Sequence, residues 1–138
     1  MSAELINKAV VTQFINDLFG QFSGDHVDAL VTEDFLAHAW AAHKVPDGTQ
    51  HLRQVITLLG ATFRDPQVRV MDLLAQGDKV AARYVFEAEY VGEVAGVNVT
   101  GQRIELPGML IARMRGHKIA ECWWEEDRLA LLAQVRAA

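Results

Sequence analysis

Leu74-Ala75-Gln76-Gly77-Asp78-Lys79-Val80-Ala81-Ala82-Arg83-Tyr84-Val85-Phe86 is the stretch that decides the fold. Gly77-Asp78 is a tight-turn dipeptide set between two segments of strand-like period. Downstream of it, Val80, Ala82, Tyr84, Phe86, Ala88 and Tyr90 alternate with Arg83, Glu87 and Glu89. One face of that strand is apolar and the other mixed, as in a sheet covered on one side. The spacing predicts a hairpin of two strands, Gln67 to Gln76 and Lys79 to Tyr90. Further on, a Gly/Val/Asn-rich loop from Gly92 to Gly101 leads into a strand from Gln102 to Met114. Gly116-His117 then turns the chain into a last strand, Lys118 to Glu125.

Upstream of Asp65-Pro66 the period is helical. Ile6, Val10, Phe14, Leu18 and Phe22 form a stripe, widened by Val11 and Ile15, that predicts one long amphipathic helix from Ala3, ending near Gly20 to Gly24. A short helix over residues 25–31 follows, with Asp25 as its cap. Phe35 to Ala39 reads as a short extended piece, and Pro46-Asp47-Gly48 as a loop. A third helix runs from Thr49 to Phe63, with Leu52, Val55, Ile56, Leu59 and Phe63 on one face. Leu129 to Val135 closes the chain as a helix. Three helices, a four-stranded antiparallel meander and a terminal helix make an α+β fold. Helices packed on one face of a strongly curved sheet leave a conical cavity, and small ligands bind in such cavities.

Over 138 residues, 51% are hydrophobic and 22% charged, which fits a single globular domain spanning 1–138. No apolar stretch is long enough to span a bilayer, and the N-terminus does not read as a signal peptide. The lone Cys122 has no partner for an internal disulfide, and a cytoplasmic location is expected. A formal net charge of -5, with Lys and Arg scattered singly, argues against nucleic-acid binding.

Chemistry concentrates in Ile119-Ala120-Glu121-Cys122-Trp123-Trp124-Glu125-Glu126-Asp127. Carboxylates beside tryptophans form a setting in which desolvation turns an acid into a usable general base. Strand alternation puts Glu121, Trp123 and Glu125 on one face and Cys122, Trp124 and Glu126 on the other. Asp127 continues the Trp123 face if the strand extends that far, or caps the last helix. Trp123 is chosen as the pocket tryptophan because it shares a face with Asp127. Glu125 and Glu126 are expected to be solvated, and Trp124 to belong to the core or a subunit interface.

His38 lies in an apolar stretch and is either a proton-transfer group or a hydrogen-bonded structural one. His43 and His51 are read as surface residues. Arg83 and Arg113 are open between exterior salt bridges and charged pocket groups. The spacing of His38, His43 and Cys122 does not make a metal site, and no glycine-rich phosphate loop or nucleophile elbow occurs. No metal or cofactor is expected.

Four pieces of the chain resemble the SnoaL-like polyketide cyclases, within the cone-shaped superfamily named after nuclear transport factor two. They are Phe35-Leu36-Ala37-His38, the Leu74 to Phe86 hairpin, the loop and strand from Gly96 to Leu106, and Ile119-x-Glu121-x-Trp123-x3-Asp127-x-Leu129. The resemblance implies a cone-shaped α+β barrel, with N-terminal helices in the concave face of a curved, mainly antiparallel sheet. It also implies a cofactor-independent enzyme that closes a ring by aldol chemistry on a hydrophobic, polyketide-like carbonyl compound. In it, Asp127 matches the family's acid/base aspartate, and His38 and Trp123 match positions that line the pocket. Glu121, Trp40, Tyr84 and Phe14 complete the expected substrate-contacting set. Two other outcomes stay open for the same fold: an epoxide hydrolase or ketosteroid isomerase activity, and a non-catalytic ligand-binding or scaffold protein. A homodimer is expected through the outer sheet face, burying Val85, Val91 and Trp124.

Overall fold

The computed structural model describes residues 2–39, 43–45, 48–94 and 96–136. Helix α1, Ala3–Ile15, starts at Ser2, whose hydroxyl accepts the Leu5 N–H at 3.1 Å, and buries Val11, Phe14 and Ile15. The helical run continues without a break to Gly20, within the expected end, but residues Asn16–Gly20 are wound as a π-helix around the buried Asp17. The Asp17 carboxylate takes the Gln13 side-chain amide at 2.6 Å and pairs with His26 Nδ1 at 2.8 Å. Its carbonyl accepts the Ser23 N–H at 2.9 Å. These bonds fasten the end of the helix to the segment that follows it, and Leu18 and Phe19 of the same turn are buried.

Helix α2, Val27–Leu30, is a single turn with His26, not Asp25, at the N-cap position and no side-chain cap bond. The Asp25 N–H is instead bonded to the Ser23 hydroxyl, so its own side chain is not the cap. Strand β1 spans Val31–Ala39, and the short β2 spans His43–Val45. Helix α3, Gly48–Thr62, docks tightly on β1. Gly48 has φ +54°, and a Cβ there would lie 2.3 Å from the Glu33 carbonyl oxygen, so only glycine lets α3 start this close to the sheet.

The meander is β3 Phe63–Gln76, β4 Lys79–Tyr90, β7 Arg103–Arg115 and β8 Lys118–Glu126. Between β4 and β7, a ribbon of β5 Glu93–Val94 and β6 Val97–Asn98 occupies the expected loop. Helix α4, Arg128–Arg136, follows β8. Strand β3 begins earlier than the Asp65-Pro66 signal suggests. It is an edge strand, and its register with β4 slips between Arg64 and Gln67. A bulge at a sheet edge accepts a proline that a central strand would exclude.

The six-stranded sheet has the order β2-β1-β8-β7-β4-β3. Every pairing in it is antiparallel except β1 with β8, which is parallel. Thus the extended piece expected at Phe35 to Ala39 is a full strand, laid against a segment more than eighty residues later in the chain. One face of the sheet is covered by helices and the other is open. The covered face presents Val80, Ala82, Tyr84 and Phe86 from β4, with Ile119, Cys122 and Trp124 from β8, all buried. The open face carries the exposed Met109, Ile111 and Trp123. No helix among the described residues is long and apolar enough to cross a membrane.

Candidate active site

Between the helix-covered face and the helices lies a cavity of about 320 Å³. Leu18 and Phe19 from the π turn, Leu52 and Leu59 from α3, Phe86 from β4 and Trp124 from β8 form much of its apolar wall. Helix α4 adds Leu131 and Leu132. The wall is interrupted by a few polar groups: His51 and Thr62 from α3, Glu126 at the end of β8, and Arg128 at the start of α4. An apolar pocket with few convergent polar groups holds a hydrophobic ligand in a set orientation.

Glu126 is the carboxylate of this wall. Its Oε1 accepts the Tyr84 hydroxyl at 3.0 Å. Tyr84 is fully buried, and its ring stacks on Phe19 at 4.8 Å and 27°. Burial, reinforced by the neighbouring Glu126 charge, pushes the Tyr84 phenol far above its ordinary range, so it stays protonated and donates. Glu126 is half-buried rather than solvated, and His51, partly exposed, also lines the cavity. The signal for Glu126 was present in the strand period: it shares a face with Cys122 and Trp124, whereas the opposite face interleaves two acids with Trp123.

The predicted parity of β8 holds, but the cavity is on the other side of the strand. Trp123 is exposed on the outer face, with its ring stacked on His38 at 5.2 Å and 7° from parallel. On the same face, His38 Nε2 lies 2.6 Å from Glu121 Oε2, and Arg113 Nε donates to Glu121 Oε1 at 3.1 Å. The His38 hydrogen bond, seconded by Arg113, holds the Glu121 carboxyl below its ordinary range. His38, Glu121 and Trp123 therefore do not reach the cavity; they tie β1, β7 and β8 together across the outer surface. The reason is topological: β1 runs parallel to β8 with His38 opposite Trp123, and helices cover the reverse side.

Trp124, placed at a core or interface position by the sequence, is a cavity wall and so cannot serve the outer face. Phe14 sits behind it, stacked at 5.6 Å, in the core and not in the cavity. Asp127 is exposed and caps α4: its Oδ1 accepts the Ala130 N–H at 3.0 Å, and its own N–H donates to the Pro107 carbonyl at 3.0 Å. Trp40 lies outside the described residues. Arg83 pairs with Asp72 at 2.6 Å on the surface, and Arg113 is committed to Glu121, so both are salt-bridge partners. Among the described residues, no group of three or more His, Cys, Asp or Glu side chains is arranged to hold a metal ion.

The profile of the SnoaL-like polyketide cyclases matches residues 9–135 of this chain. The chain belongs to that family. Solved structures agree on the fold of this SnoaL-like protein. TsrD from Streptomyces laurentii superposes with a TM-score of 0.82 at 22% identity, covering 100% of both chains. AclR from Streptomyces galilaeus, a candidate hydroxylase, gives 0.82 at 20% identity over 99% of each chain. IdmH from Streptomyces antibioticus, a candidate polyketide cyclase, gives 0.74 at 29% identity over 91% of this chain and 97% of its own. No match was found among curated proteins. The SnoaL-like fold is thus shared with proteins described both as cyclases and as a hydroxylase, and the chemistry has to be argued from the cavity itself.

Proposed function

We propose that this SnoaL-like protein closes a ring by an intramolecular aldol reaction on a hydrophobic, polyketide-like carbonyl compound, without a cofactor. The observation that carries the reading is Glu126, a carboxylate on the wall of an otherwise largely apolar cavity, hydrogen-bonded to a buried phenol. In the reaction, the Glu126 carboxylate takes a proton from a carbon flanked by two carbonyls. The resulting enolate carbon attacks a second carbonyl of the same molecule, forming the C–C bond and leaving an alkoxide. Glu126 returns its proton to that alkoxide, so the carboxylate is regenerated and atoms balance. The demand on the protein is modest, because two carbonyls already delocalise the carbanion and the cavity folds the chain for attack.

Asp127 is the second candidate for this role, since it matches the family's acid/base position and directly follows Glu126. His38 is favoured less, because it lies across the sheet from the cavity. The experiment is deuterium exchange at the activated carbon of 1-phenyl-1,3-butanedione, followed by NMR, for the wild type, Glu126→Gln and Asp127→Asn. Loss of enzyme-dependent exchange in Glu126→Gln alone supports the reading. Loss in Asp127→Asn alone moves the base to Asp127. No exchange above background in the wild type favours the ligand-binding role, in which case mass spectrometry of co-purifying compounds identifies the occupant.

The protein is also proposed to act as a homodimer in the cytoplasm. Met109 and Ile111, 58% and 45% exposed, join Trp123 as a contiguous apolar strip on the outer face, which supports pairing there. Trp124 is no part of that strip, being on the cavity side.

A further inference from the structure

Tyr84, Gly108 and Glu126 lie in one row across three adjacent strands: Tyr84 of β4 is the register partner of Gly108 of β7, which is the register partner of Glu126 of β8. Neighbouring strands are about 4.8 Å apart, so Tyr84 and Glu126 are separated by about twice that distance with a strand between them. A side chain on β4 can bond one on β8 only by lying flat over β7. The Tyr84 ring does so. A Cβ at position 108 would stand 2.4 Å from its Cζ, 2.5 Å from its hydroxyl oxygen and 2.8 Å from its Cε2. Gly108 carries no left-handed backbone angle, so glycine is needed there for space alone.

We infer that Tyr84 is a positioning residue for Glu126, reaching it across the gap that Gly108 leaves in the intervening strand; this rests on the reading of Glu126 as the acid/base group. Two further observations support it. A purely space-filling residue at this point would be phenylalanine, and Phe86, two positions along on the same face of β4, is that residue. Phe19 stacks on the Tyr84 ring from the helix side, so the ring is held between Phe19 and the Gly108 backbone. A hydrogen bond from a neutral phenol to a carboxylate in a low-dielectric site is charge-assisted and directional. It holds one Glu126 oxygen and stabilises the ionised form that has to accept the substrate proton. Tyr84 itself does not line the cavity.

The test is Tyr84→Phe, which removes a single oxygen and keeps the packing. Carbon-13 NMR of glutamate labelled at the side-chain carboxyl, with the Glu126 signal assigned by its loss in Glu126→Gln, reads the coupling without any substrate. The Glu126 midpoint is expected to rise by about one pH unit in Tyr84→Phe, because a donor to the charged form is lost. In the exchange assay, kcat on the plateau above the midpoint is expected to fall about tenfold with little change in KM, because the carboxylate loses its fixed orientation, and the acid limb of the pH–rate profile to move up with the midpoint. An unchanged midpoint, or a shifted midpoint with unchanged kcat, overturns the inference. If Glu126→Gln retains turnover, the functional reading fails, while the midpoint in Tyr84→Phe still decides whether the two groups are coupled. The gap is tested by Gly108→Ala, expected to lower Tm far more in the wild type than in a Tyr84→Ala background. Equal losses in the two backgrounds would overturn it.

Discussion

The rings of His38 and Trp123 lie stacked on the outer face of the sheet, 5.2 Å between centroids and 7° from parallel. This contact joins β1 to β8 on the side away from the cavity, so the face that the sequence offered as the pocket is the outer one. Glu121 completes the outer cluster, and Glu126 remains with the cavity.

The outer cluster has a pH signature. Hydrogen bonds from His38 and then Arg113 hold the Glu121 carboxyl below its ordinary 4.5. A carboxyl depressed in the folded state stabilises the fold fully above its unfolded value, and that contribution is lost as pH falls through the folded value. Glu121→Gln is expected to cost about 1 kcal/mol at pH 7. Its urea midpoint should then fall less steeply than that of the wild type below pH 4.5. Parallel curves for the two proteins would show that Glu121 contributes nothing to the acid limb.

The alkaline limb is governed by the covered face. Burial raises the Cys122 thiol from an ordinary 9.0, and burial with the Glu126 charge raises the Tyr84 phenol from 10.0. Groups raised in the folded state stabilise it fully below their unfolded values and lose that contribution as pH climbs above them. Each is expected to steepen the fall in stability by up to about 1.4 kcal/mol per pH unit. Tyr84→Phe should flatten the loss above pH 10.0, read by urea unfolding across that range. Cys122, fully buried, should react with a disulfide reagent only after unfolding.

Asp127 is expected to behave as a helix cap in stability measurements whatever its part in chemistry. Asp127→Ala should lose about 1 kcal/mol, and Asp127→Asn close to nothing, since asparagine caps equally well. Because α4 closes the cavity with Leu131 and Leu132, the alanine variant should also bind an apolar fluorescent dye differently from the asparagine variant. Equal stability of the two variants would contradict the capping role.

On the outer face, Ile111→Lys is expected to convert a dimer into a monomer in sedimentation experiments at micromolar concentration. The fold should survive, because Ile111 is 45% exposed in the single chain. A wild-type protein that is monomeric under these conditions would refute the proposed pairing.

Strands β4, β7 and β8 and helix α3 were legible to within a few residues, because each carries its own period. The main departure lies where a long-range contact decides. The extended piece at Phe35 to Ala39 is short of turn and pattern signals, and becomes the strand β1, Val31–Ala39, only by pairing with β8. The first helix follows its stripe to Gly20, but its last turn, Asn16–Gly20, is wound as a π-helix around Asp17, which bonds Gln13 and His26.

For the candidate site, the sequence by itself determined parity: residues 121, 123 and 125 on one face, 122, 124 and 126 on the other. It did so because successive side chains of a strand point in opposite directions, whatever surrounds them. Only the tertiary structure decided which face is the cavity. That choice depends on where α1, α3 and α4 pack and on β1 joining β8, contacts between segments far apart in the chain. It is also what places Tyr84, Gly108 and Glu126 in one row, a relationship among three strands that no local pattern contains.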